Sequence, residues 1–65
     1  MSDIKRMTAY LNEAEVWVDS VYQFAVEEKG STADLLRKNM NHIAMVLYDS
    51  HQLLEIMNNE RTTDN

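Results

Sequence analysis

His51 and Glu55 stand four residues apart, the spacing that puts two ligand-type side chains on one face of a helix. A metal centre needs more than this pair offers. His42 lies nine residues before His51, on another part of a helical surface, and no third ligand stands near in sequence. The pair reads as a solvated hydrogen-bonding couple. Asp49 and His51 are two apart and cannot face each other on a helix, so they form no local acid–base relay. There is no cysteine, and no serine sits in a nucleophile-elbow context. Gly30 is the single glycine, which excludes a glycine-rich phosphate loop. Sixty-five residues also leave little room for a deep concave site. The expectation is a protein that is not an enzyme, with no catalytic residue, no cofactor and no metal.

The elements that carry these residues follow from Gly30 and from the absence of proline. Helices are expected at about 3–29 and 32–59, with the turn at 30–31. Ser2 is a suitable N-cap, and Asp3 suits the first turn. Lys29 followed by Gly30 reads as a stop: a cation in the last turn, then a residue that accepts positive φ. Ser31 or Thr32 can cap the second helix, with Asp34 near its free N–H groups. The tail 62–65 has nothing to bury and is expected to be disordered, with fraying from about residue 60. A turn this short forces antiparallel neighbours. The fold class is therefore all-α: an antiparallel helical hairpin over 1–61.

Heptad rows define the apolar face. On the first helix Ile4, Leu11, Val18 and Ala25 form one row, and Met7, Ala14 and Val21 a second. Tyr10, Trp17 and Phe24 lie beside the first row and widen the face beyond a minimal coiled-coil seam. On the second helix the rows are Leu36, Ile43, Ser50, Met57 and Met40, Leu47, Leu54, flanked by Val46 and Leu53. Ser50 interrupts this seam and Asn39 sits on its flank. Two helices cannot enclose a core, and a chain this short needs a disulfide, a metal or a partner chain. Without cysteine, association is the route that remains. A homodimeric four-helix bundle is expected, with Tyr10, Trp17, Phe24, Ile43, Leu47 and Leu54 as its interface. Trp17, Leu47 and Leu54 are expected to be buried and to hold the assembly together, with Trp17 level with Val46 and Leu47. Apolar residues off the seams, such as Val16, Met45 and Ile56, are left for the dimer contact or for a docking patch.

Eleven acidic and six basic residues leave a net charge of -5, which disfavours nucleic acid as a partner. The aromatic row could stack bases, but it lacks interleaved Lys or Arg and has Glu13, Glu15 and Asp19 as neighbours. Basic residues gather in two small groups: Lys5, Arg6 and Arg61 at the open end, Lys29, Arg37 and Lys38 at the turn. In a dimer these could bind RNA or DNA, which is the alternative function; an acidic mimic of nucleic acid is another. No apolar run approaches a membrane span, and the N-terminus lacks the apolar stretch of a signal peptide. A cytoplasmic protein acting through itself and a host protein partner is expected.

The opening Met1-Ser-Asp-Ile-Lys-Arg-Met-Thr-Ala-Tyr10 and the helical region around Trp17 resemble the short, acidic, helical accessory proteins of the exo–xis region of lambdoid phages. The likeness is one of general style along the chain. It implies a nonessential, non-catalytic protein that adjusts phage development or host physiology through protein contacts. It brings no functional residues with it.

Overall fold

A computed structural model describes residues 3–63, with side chains described as far as residue 61. Two helices account for nearly all of it: α1, Asp3–Val26, and α2, Ser31–Thr63. They pack antiparallel as one hairpin, and there is no strand among the described residues. The expected cap at Ser2 lies outside the described residues.

The turn differs from its sequence reading. α1 stops at Val26, three residues short of position 29. Glu27 and Glu28 give no support to a further turn, because carboxylates are unfavourable at the negative end of a helix dipole. Lys29 falls in the loop, so α1 has no cation of its own in its last turn. The last carbonyls are met in other ways. Glu27 N–H donates to Phe24 O at 3.3 Å and Glu28 N–H to Ala25 O at 3.1 Å, tightening the final turn. Arg37 reaches back from α2 and donates to Ala25 O and to Glu28 O, the latter at 2.9 Å. The cation that the dipole favours thus comes from the other helix.

Gly30 serves α2 rather than α1. Its φ is 109°, and its carbonyl accepts the first bond of α2, from Asp34 N–H at 3.1 Å. That is the backbone role of an N-cap residue. Ser31, expected as a cap, is instead the first residue of the helix. At the far end α2 runs past Asn58 and Asn59 to Thr63. Arg61 in its last turn complements the dipole there. Of the tail expected at 62–65, residues 62 and 63 have helical backbone, and 64 and 65 lie outside the described residues.

The contact between the helices is narrow. Among the described residues the fully buried ones are Ile4, Ala25 and Leu54. Leu11, Val18, Met40 and Leu47 are half-buried between them. The first row of α1 and the Met40, Leu47, Leu54 row of α2 therefore make the hairpin seam, as their spacing predicts. The Cα trace measures 54 × 18 × 10 Å, two helices wide and one helix thick. Its radius of gyration is 15.5 Å. A compact chain of this length would have about 11 Å. The hairpin is a plate rather than a globule.

Candidate interaction face

The two sides of the plate differ in chemistry. Helical spacing puts Met7, Tyr10, Ala14, Trp17, Val21 and Phe24 of α1 on one side. Leu36, Asn39, Ile43, Val46, Ser50 and Leu53 of α2 share that side. None of these twelve positions is charged, and the same rows meet carboxylates only beyond them at the open end, at Asp3 and Glu60. The alignment is fixed by a hollow in which Met7, Tyr10 and Leu11 meet Ser50, Leu53 and Leu54. The other side is mixed, with charged and polar side chains among apolar ones. There Thr8, Asn12 and Lys5 line a groove with His51, Glu55 and Asn58. Further along, Glu15, Asp19 and Gln23 line another with Asn41 and Tyr48.

The uncharged side is wet. Tyr10 is 68% exposed, Trp17 65% and Phe24 79%. Packing of α1 on α2 alone does not bury Trp17, which projects from the plate. The six residues expected at an interface divide accordingly. Leu47 and Leu54 lie in the hairpin seam, Ile43 borders it, and Tyr10, Trp17 and Phe24 stand on the open face. Trp17 does fall at the level of Val46 and Leu47, because Glu15 faces His51 and Ala25 faces Arg37.

Ser50 is less of an interruption than its type suggests. Its hydroxyl donates to Val46 O at 2.8 Å, inside its own helix. The hydroxyl is satisfied, and the small side chain helps line an open hollow of about 370 Å³ in the face.

His51 does not act with Glu55 as expected. Its Nε2 lies 3.2 Å from Glu15 Oε1 across the hairpin. The atom is buried and makes no hydrogen bond, so the pair is a close polar contact, ionic only when the imidazole is protonated. No three His, Cys, Asp or Glu side chains among the described residues are grouped to hold a metal ion. Sequence spacing missed the Glu15–His51 contact because it joins separate helices. It could be found only once the turn set the register.

Arg37 was likewise assigned to a basic group at the turn. It also pairs with Asp34, so it is engaged three times within the hairpin. At the open end Arg6 lies 3.9 Å from Asp3. No described helix is long and apolar enough to cross a membrane. Compared with known proteins, the chain has no significant match to a family model, a curated protein or a solved structure. Its function has to be argued from these two faces.

Proposed function

We propose that this protein is a non-catalytic interaction module that works by self-association. Two hairpins bury their uncharged faces against each other as a homodimeric four-helix bundle, leaving the mixed faces outward to meet a protein partner in the cytoplasm. One observation carries the reading: a side twelve positions long without a charge, backed by a mixed side. Area supports it. The chain exposes 5411 Å². A folded monomer of 7.6 kDa would expose about 4300 Å². The excess of about 1100 Å² exceeds the roughly 800 Å² that one partner contributes to a standard interface. The exo–xis resemblance points the same way, to a protein that acts by contact. Engagement of Arg37 with backbone carbonyls removes one cation from the basic group at the turn, which weighs against the nucleic-acid alternative.

Sedimentation equilibrium should give a dimer at micromolar concentration. The melting temperature should rise with protein concentration, because a dimer is stabilised by mass action. A folded monomer with a concentration-independent melting temperature would overturn the proposal.

A further inference from the structure

The uncharged face is not uniform along its length, and this orients the second copy. Its open-end half holds the hollow between Met7, Tyr10 and Leu11 of α1 and Ser50, Leu53 and Leu54 of α2. Its turn-end half holds Phe24, the most exposed of the large apolar side chains. Trp17 stands midway, seven residues from Tyr10 and seven from Phe24. Each step is about 10.5 Å along the helix.

With their long axes aligned, two identical plates can meet face to face about a two-fold axis in two ways. An axis along the hairpin sets turn over turn and hollow over hollow. The two hollows then merge into a void whose lining loses its contacts, and interiors tolerate few such voids. An axis across the hairpin, at the level of Trp17 and Val46, sets turn over open end. Each hollow is then covered by the turn-end half of the other plate, and symmetry repeats the fit twice. We infer that the partner on this face is a second copy running the opposite way, the partner's Phe24 half closing the hollow around Ser50. This rests on the self-association proposed above.

The chain has no cysteine, so Lys29→Cys in the loop places a single spin label on each protomer. Lys29 lies twelve residues beyond Trp17. Nine of those residues are helical, since α1 ends at Val26, so in the opposed arrangement the two labelled loops are at least about 27 Å apart along the helix. Turn over turn would leave them one helix-packing distance apart, about 10 Å before the label arms are added. A pulsed dipolar measurement should read the long distance. A short one overturns the orientation while leaving self-association standing, and a monomeric unlabelled protein overturns both. Ser50→Leu supplies an independent sign. Filling the hollow should raise the dimer dissociation constant about tenfold, because it displaces the partner's side chains. Tighter dimerisation of Ser50→Leu would mean that two hollows face each other, and would overturn the inference.

Discussion

Arg37 holds the turn together through one guanidinium, with two α1 carbonyls on one nitrogen and Asp34 on the other. A planar fork spans these acceptors from two separate nitrogens, whereas an ammonium would have to reach all three from one point. Hydrogen bonds to a charged group contribute about 1.5–3 kcal/mol each before partial exposure reduces them. Arg37→Ala should therefore destabilise the protein by about 1–3 kcal/mol in urea titrations, and Arg37→Lys should recover less than half of the loss. Full recovery by lysine would mean that only the charge matters. At the same scale Leu54 and Trp17 separate. Leu54 is enclosed by the hairpin itself, so Leu54→Ala should cost about 2–5 kcal/mol and unfold the chain. Trp17 stands outside the hairpin seam. Trp17→Ala should shift the protein from dimer toward monomer in sedimentation, while Gln23→Ala, on the mixed side, should change neither assembly nor melting. If Trp17→Ala kept both dimer and melting temperature but abolished binding to a partner, Trp17 would belong to a docking surface instead.

At the scale of the elements, the loop 27–30 decides how the two helices meet. Its key residue is Gly30, whose φ of 109° is rarely adopted by residues with a side chain. An added Cβ would meet nothing within 4 Å, so the penalty of Gly30→Ala is purely conformational. Holding such a backbone costs of order 1–3 kcal/mol. A loss in that range is expected from thermal melts at fixed protein concentration. No loss would mean that the loop relaxes to another turn. The helices themselves need no such device. Periodicity, the lack of proline and dipole-compatible residues at Asp3, Asp34 and Arg61 are sufficient for two long helices.

At the scale of the whole molecule, a plate one helix thick cannot shelter an apolar face of its own. Each large side chain left in water forgoes roughly 1.5–3 kcal/mol relative to full burial. Several such residues along one side amount to as much as a small domain's whole stability. The association proposed above would remove this deficit, and it would account for an uncharged side set against one that carries Glu15, Asp19, His51 and Glu55. Sodium chloride should accordingly alter the dimer dissociation constant only weakly, since the twelve positions from Met7 to Phe24 and Leu36 to Leu53 carry no charge to screen. A steep salt dependence would place the contact on the mixed side.

What the sequence determined by itself is periodic. The two helices, their antiparallel pairing and the rows Ile4, Leu11, Val18, Ala25 and Met40, Leu47, Leu54 follow from spacing, because a helix repeats every 3.6 residues or so whatever surrounds it. Spacing also marked Tyr10, Trp17 and Phe24 as apolar, but it could not say whether the hairpin or another chain covers them. Only the tertiary structure decided that they lie outside the hairpin seam. It also decided that α1 ends at Val26, that Gly30 opens α2, and that Arg37 and His51 face α1. These features depend on residues far apart in the chain meeting at one level. That level is set by the backbone path through 27–30, which helical periodicity does not encode.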